Sequence, residues 1–304
     1  MTGAGSGGAP RVGIIGLGNM GGRIAARLRQ ARGPIAGFDV DPSRAPAVHA
    51  QPAASVAELV AHADIVLLSL PDSTVVESVV RGPDGILSAC RDGQIVVDLS
   101  TSAPASTRAL AAELADRGCA LLDAGVTGGA AGAEQGTLTI MVGGDGAALE
   151  RVRATLECFS AKIFHLGPSG AGHTTKLLNN FLNAVTLAAT AEAMIAARIA
   201  GLDPHAVLEV INAGSGVSYA SLNRFPRIID GDYLEGGLTG RLMMKDVTLY
   251  VEMLRELGAP SLNASGPLAS FGVALGLGYG DVISNRVVDA IGDLAGGVRL
   301  HDGS

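Results

Sequence analysis

The sequence predicts an α/β domain built on a parallel, doubly wound sheet, followed by an all-α domain. Three observations carry that expectation. Short apolar runs alternate with helical patterns through the first half of the chain, a glycine-rich turn follows the first of these runs, and strand-like runs nearly vanish after Gly167-Pro-Ser-Gly-Ala-Gly172. With 304 residues and 48% hydrophobic composition, the chain has material for about two domains, each with its own core. The expected division is a flexible Gly/Ala-rich tail over residues 1–10, an α/β domain over 11–168 and a helical domain over 169–304.

Taken in order, the expected strands are Val12–Ile15, Ile35–Phe38, Ile65–Leu70, Ile95–Leu99, Ala120–Ala124, Leu138–Val142 and Lys162–His165. A helical pattern over Met20–Arg32 follows the first strand, Ser55-Val-Ala-Glu58 has the spacing of a capping box, and Pro104 opens a helix that runs toward Arg117. In the second domain the helical stretches are His173–Ala200, Pro204–Asn212, Thr239–Glu256, Ala264–Leu277 and Ser284–Leu294. Gly201 supplies a stop, and Asp203-Pro204 then sets an N-cap acid before a proline, whose missing N–H costs nothing at the first helical position.

The opening residues MTGAGSGGAP have neither the basic start nor the apolar centre of a signal peptide. Leu177–Ala200 is apolar enough to suggest a membrane span, but Asn179, Asn180, Asn183, Glu192 and Arg198 interrupt it, so it reads as a long buried helix and no membrane partner is expected. A net charge of −7 gives no broad basic footprint, which argues against nucleic acid. Cys90, Cys119 and Cys158 are odd in number, widely spaced and without a CxxC, as expected of free thiols in a reducing cytoplasm. The six histidines show no HxxxH or HxH spacing, so no metal site is expected.

The motif with the clearest chemistry is Gly16-Leu17-Gly18-Asn19-Met20-Gly21, directly after a strand and directly before a helix. Its glycines permit a tight turn, a close backbone approach to a pyrophosphate and close helix–strand packing, while the helix N-terminus favours the anion. Residues 11–168 therefore read as a dinucleotide-binding domain. Asp39 ends the second strand about twenty residues beyond Gly16, where a carboxylate meets the adenine ribose hydroxyls. It would repel a 2′-phosphate, and Val40 offers no adjacent guanidinium to hold one, so NAD is the expected cofactor in preference to NADP.

Three further segments, Asp98-Leu-Ser-Thr101, Asp123-Ala-Gly-Val-Thr-Gly-Gly129 continuing to Gly144, and Gly170-Ala-Gly-His-Thr-Thr-Lys176-Leu-Leu-Asn179-Asn180, complete a set. With the glycine turn, they resemble the 3-hydroxyisobutyrate dehydrogenase, or β-hydroxyacid dehydrogenase, family over almost the whole chain and in the same order. The resemblance implies a Rossmann-like N-terminal domain, a helical C-terminal domain, an active cleft between them, and a homodimer or homotetramer assembled through the helical part. It implies hydride transfer between NAD and a small 3-hydroxy acid or its semialdehyde. It also makes Lys176 the catalytic lysine, Asn180 a substrate-orienting residue, and Ser100 with Thr127, Gly128 and Gly129 the holders of the substrate carboxylate. Lys245 in Leu242-Met-Met-Lys-Asp246 resembles the family's second cleft lysine, facing substrate and cofactor, and Leu70, Pro71 and Thr101 fall along the cofactor. Thr127 stands where Ser is usual and Leu238 where an aromatic is common, which leaves the substrate within the class open.

The residues support this chemistry on their own. On a helix Lys176, Asn179 or Asn180, and Asn183 fall at i, i+3 or i+4, and i+7, a polar stripe on an apolar segment. Such a stripe faces either a polar site or an interface. Desolvating a lysine lowers its pKa from roughly 10.4, which suits proton exchange with a substrate oxygen. Ser100 lacks a nucleophile elbow and reads as a binding residue, His173 as a solvated helix-start residue more than a cofactor neighbour, and Asp246 as either a salt-bridged neighbour of Lys245 or part of the site. Asp98 and Asp123 end strands, where capping or loop hydrogen bonds are their usual work. A 6-phosphogluconate dehydrogenase-like enzyme shares a Gly-Ala-Gly-His…Lys segment, but has a His-Asn pair where Asn179-Asn180 stands. Imine reductases share the architecture without the lysine, and a catalytically silent NAD-binding scaffold would have lost both lysine and asparagine.

Overall fold

A computed structural model of the chain describes residues 9–301, so the tail expected over 1–10 lies, but for its last two residues, outside the described residues. Packing divides the chain after Lys176 into two compact units. The first is built on one eight-stranded sheet in the order β3-β2-β1-β4-β5-β6-β7-β8. Its strands are β1 (Val12–Ile15), β2 (Ala36–Phe38), β3 (Gln51–Pro52), β4 (Ile65–Leu68), β5 (Ile95–Asp98), β6 (Ala120–Thr127), β7 (Leu138–Gly143) and β8 (Ser160–His165). Between them run α1 (Asn19–Arg32), α2 (Arg44–Ala47), α3 (Val56–His62), α4 (Ser73–Arg81), α5 (Ile86–Ala89), α6 (Pro104–Ala115), α7 (Gly129–Gln135) and α8 (Gly146–Leu156).

β1 and β4 are apolar throughout, and β5 up to Asp98, because helices cover both faces of the sheet. In β4, Ile65 and Leu67 enter one core layer with Ile14, Leu28 and Val97, while Val66 and Leu68 enter the other with Ile15, Val76 and Leu110. Each such side chain contributes about 1.5–3 kcal/mol by leaving water. Ser55 caps α3 as expected, accepting the N–H of Glu58, but the capping box does not close: the Glu58 carboxylate takes the N–H of Ala54, one residue before the N-cap.

The sequence predicts a parallel sheet, and the sheet is parallel but for one pair. β7 runs antiparallel to β6, pairing Thr127 with Thr139 and Asp123 with Gly143, and β8 then pairs parallel to β7. The connection from β6 to β7 holds only the 7-residue α7, and a parallel return needs a crossover of roughly a dozen or more residues. The two-residue β3 carries no apolar run and was not expected.

The second unit is helical. The long helix α9 (Ala171–Ile199) begins in the first unit and continues into the second, followed by α10 (Pro204–Ala213), α11 (Tyr219–Asn223), α12 (Phe225–Ile228), α13 (Gly240–Leu257), α14 (Ser265–Gly276) and α15 (Val287–Leu294). Asp203 caps α10 as its position before Pro204 predicts. Ala184, Leu187, Ala191 and Met194 lie at helical spacing on α9 and join Phe225, Met243, Phe271 and Val287 in one core. Of the described helices, α9 alone is long and apolar enough to cross a membrane. It is not buried all round, contrary to the expectation for Leu177–Ala200, since Leu178 and Leu182 on its other face are exposed.

Candidate active site

The glycine turn closes at the C-terminal end of β1. Gly16 has φ +90°, and a Cβ there would lie 2.3 Å from the carbonyl oxygen of Ser69 after β4. A Cβ on Gly21 would lie 2.0 Å from the Gly16 carbonyl oxygen, so the third glycine lets α1 sit directly against the turn. Gly18 differs: its nearest neighbour would be an Arg44 guanidinium nitrogen at 3.5 Å. It also stands at the N-cap of α1 with no side chain capping the helix and no acid in the first turn. A helix N-terminus whose N-cap has no side chain lets a pyrophosphate approach its N–H groups, so these residues fit the phosphates of a dinucleotide.

Asp39 closes this loop from the side. Its Oδ2 accepts the N–H of Leu17 at 2.7 Å and its Oδ1 the N–H of Asp41 at 2.9 Å. Val40 is exposed, as expected of a residue that holds nothing, but Arg44 at the start of α2 supplies the guanidinium that position 40 lacks. Its Nη1 is 3.3 Å from Asp39 and its Nε 3.4 Å from Asp41. The sequence reading missed Arg44 because only the turn between β2 and α2 folds it back; an acid followed five positions later by a basic residue was the available signal.

The loop after β5 is held by Asp98, which is 2% exposed. Its Oδ1 accepts the N–H of Ser100 and its Oδ2 the hydroxyl of Ser102, each at 2.9 Å. The Ser100 hydroxyl in turn accepts the N–H of Leu70 at 2.9 Å, which fixes its oxygen and leaves its own proton for an acceptor such as a carboxylate. Leu70 and Pro71 follow β4 and Thr101 follows Ser100, so these three lie on neighbouring loops at the same strand ends.

Asp123 on β6 is fully buried and serves the start of α9. Its Oδ1 accepts the N–H of Gly170 and its Oδ2 that of His173, both at 2.8 Å. Gly172 lets the helix seat on the sheet, since a Cβ there would come within 2.4 Å of the Met141 carbonyl oxygen. On β6, Asp123, Gly125 and Thr127 share one face by the two-residue period of a strand. Gly125 lies under the stem of Lys176, with the lysine Cβ 2.6 Å from where a Gly125 Cβ would stand. Thr127 ends β6, and Gly128 and Gly129 continue the turn with φ of +120° and +65°. The sequence reading missed Gly125, whose lack of a side chain looks in the sequence like ordinary strand variation.

In the second unit Asn180, 3% exposed, donates from Nδ2 to Oδ2 of Asp246 at 2.5 Å, and the Nζ of Lys245 lies 3.1 Å from the other Asp246 oxygen. Asp246 is thus more than a surface neighbour of Lys245: at 1% exposure it anchors both expected site residues of this unit. Asn179 lies beside Asn180, donating to its side-chain oxygen at 3.3 Å. Leu238 packs against the helical core, and its carbonyl accepts the N–H of Ser284. His173, expected to be solvated, is buried completely.

A glycine loop shaped for a pyrophosphate, beside strand-end loops fixed by buried carboxylates, defines a dinucleotide-binding enzyme domain. Residues 11–167 match the NAD binding domain of 6-phosphogluconate dehydrogenase, and residues 170–275 match the domain described as NAD-binding of NADP-dependent 3-hydroxyisobutyrate dehydrogenase. The chain is 37% identical over 277 residues to 2-(hydroxymethyl)glutarate dehydrogenase of Eubacterium barkeri, covering 90% of this chain and 92% of that protein. It is 37% identical over 281 residues to the NAD-dependent L-serine dehydrogenase of Pseudomonas aeruginosa, covering 89% and 94%. Among solved structures, the 3-hydroxyisobutyrate dehydrogenase of Mycobacterium tuberculosis, determined with L-serine, superposes with a TM-score of 0.85 at 31% identity, covering 92% of this chain and 98% of that one. The chain belongs to the 3-hydroxyisobutyrate dehydrogenase family of NAD-binding hydroxyacid oxidoreductases.

Proposed function

We propose that this enzyme interconverts a small 3-hydroxy acid and its semialdehyde, with NAD preferred and Lys176 as the proton exchanger. The observation that carries the reading is the seat of Lys176 on Gly125, in the strand whose end is Thr127-Gly128-Gly129, with Asp123 tying down the helix that bears the lysine. The bound nicotinamide supplies the two-electron acceptor or donor. In oxidation, Lys176 in its neutral form takes the hydroxyl proton as the carbon–hydrogen bond yields hydride, and the ammonium returns that proton in reduction. The Ser100 hydroxyl and the N–H groups around Gly128 and Gly129 hold the carboxylate, and Asn180, fixed by Asp246, orients the reacting oxygen.

The acids named for the relatives, 2-(hydroxymethyl)glutarate, L-serine and 3-hydroxyisobutyrate, share a hydroxymethyl group on the carbon that bears a carboxylate. That unit is the substrate feature we assign here. Asp39 favours NAD by its charge. A cytoplasmic homodimer or homotetramer is the assembly proposed with this reading, supported by the exposed Leu178 and Leu182 on α9.

The test follows NADH absorbance with a panel of 3-hydroxy acids, their methyl esters and the corresponding simple alcohols. Turnover of acids alone is the expected result. Esters consumed as efficiently as acids would end the carboxylate assignment, and NAD binding without any turnover would make the chain a silent scaffold.

A further inference from the structure

His173 in the first turn of α9 is 0% exposed, and the roles assigned above make no use of its ring. Its Nε2 lies 3.3 Å from the main-chain carbonyl oxygen of Asp98 at the end of β5, and its Nδ1 lies 2.7 Å from the hydroxyl of Thr107 on α6. A carbonyl oxygen only accepts, so Nε2 carries the proton. The ring's Nδ1 hydrogen-bonds with the Thr107 hydroxyl, whose oxygen also lies 3.2 Å from the Ala103 carbonyl oxygen. The main-chain N–H of the same residue donates to Asp123 on β6. His173 therefore ties α9 to β5, β6 and α6 at one point. Two carboxylates face it, Asp98 with an oxygen 3.8 Å from Nε2 and Asp123 at its backbone.

What those ties hold is specific. Lys176 follows three positions later on the same helix, on the same side of it. Asp98, whose carbonyl the ring meets, is the residue whose carboxylate fixes Ser100 and Ser102. The ring thus joins the turn that carries the lysine to the strand end that carries the serine. We propose that His173 is a positioning residue for the reaction, setting Lys176 relative to the Ser100 hydroxyl. The proposal rests on the reading of Lys176 as proton exchanger.

The experiment compares His173→Ala, His173→Gln and Thr107→Val with the unaltered enzyme and with Lys176→Ala. Each is assayed for kcat and KM across pH, with folded sites counted by NADH fluorescence titration. Misplacing a reacting group by about 1 Å costs up to roughly 100-fold in rate. His173→Ala is accordingly expected to lower kcat per folded site by about 10- to 100-fold and to move the ionisation seen in kcat/KM, with NADH binding retained. His173→Gln keeps an amide donor for the Asp98 carbonyl and an oxygen able to accept from Thr107, so it should recover most of the rate. Thr107→Val, which removes the partner of Nδ1 without opening a large cavity, tests the same tie should the alanine variant not fold.

In a Lys176→Ala background, His173→Ala should lower kcat little further, because the two act through one group. Full turnover per folded site in both His173→Ala and Thr107→Val, with an unmoved pH profile, overturns the proposal. Full turnover in Lys176→Ala overturns the reading beneath it instead, so the two failures are distinguishable.

Discussion

Gly125 and Lys176 are in van der Waals contact through the one position where β6 has no side chain: a Cβ on Gly125 would stand 2.6 Å from the lysine Cβ and 3.0 Å from its Cγ. Separations that short are not tolerated, so Gly125→Ala must push the lysine stem or the first turns of α9 outward. The expected result is a fall in kcat of about 10-fold or more with NADH affinity unchanged, read by steady-state kinetics beside fluorescence titration. An alanine variant with full kcat would mean that the lysine's seat does not matter to turnover.

Removing the lysine side chain is the more direct probe. Lys176→Ala should lower kcat by roughly 10²–10⁴, the span of a lost general acid–base, or about 3–5 kcal/mol of barrier. Folding and cofactor binding should survive. A variant with normal kcat and a lowered melting temperature would show Lys176 to be structural only.

The Asp39–Arg44 pair gives a prediction about cofactor choice. NAD should give the higher kcat/KM, because a 2′-phosphate placed beside Asp39 meets its carboxylate. Asp39→Ala should narrow the NAD/NADP ratio by more than loss of repulsion alone, since it also releases the Arg44 Nη1, 3.3 Å away, to meet the phosphate while Asp41 keeps its contact with Nε. Adding Arg44→Ala to that variant should remove the gain in NADP. If the double variant keeps it, Arg44 plays no part in the choice.

Cys119 gives a prediction independent of the site. Burial, and secondarily a hydrogen bond with Cys90, pushes its thiol up to about 12. At pH 8 the folded protein would carry thiolate at Cys119 in a fraction on the order of 10⁻⁴, against roughly a quarter for an ordinary cysteine. Iodoacetamide at pH 8 should therefore label Cys119 only after denaturation, as mass spectrometry of the peptide would show. Because the folded value is the higher one, the stability that goes with the neutral thiol is present below the unfolded pKa and is lost as pH rises through about 12. Rapid labelling of the native protein would contradict this account.

What could be read from the sequence follows from what each signal encodes. The runs in β1, β4 and β5 stand out because both sides of those strands are buried, and the glycine turn because Gly16 and Gly21 each answer a separate steric demand. The direction of β7 was not legible, since an apolar run has no polarity; only the shortness of α7 hinted at it. Gln51–Pro52 is a strand solely by virtue of pairing with Ala36–Gly37. Lys176 and Asn180 stand out as candidates by residue type and helical spacing, and Ser100 by the resemblance of its segment. Their supports do not: Arg44, Gly125 and Asp246 owe their roles to distances, and His173 looked solvated because the helix and strand that enclose it are remote in sequence.

The carboxylate of Asp123 has a consequence for where the chain can be cut. Family boundaries meet between residues 167 and 170, yet the first compact unit runs on to Lys176. A truncated gene ending at 167 would delete Gly170 and His173 and so strip both oxygens of a fully buried carboxylate of their N–H donors, a loss on the order of several kcal/mol in a small domain. The shortest autonomous nucleotide-binding fragment should therefore carry its portion of α9 through Lys176. The stretch matched as a family and the stretch able to fold alone should then end at different residues.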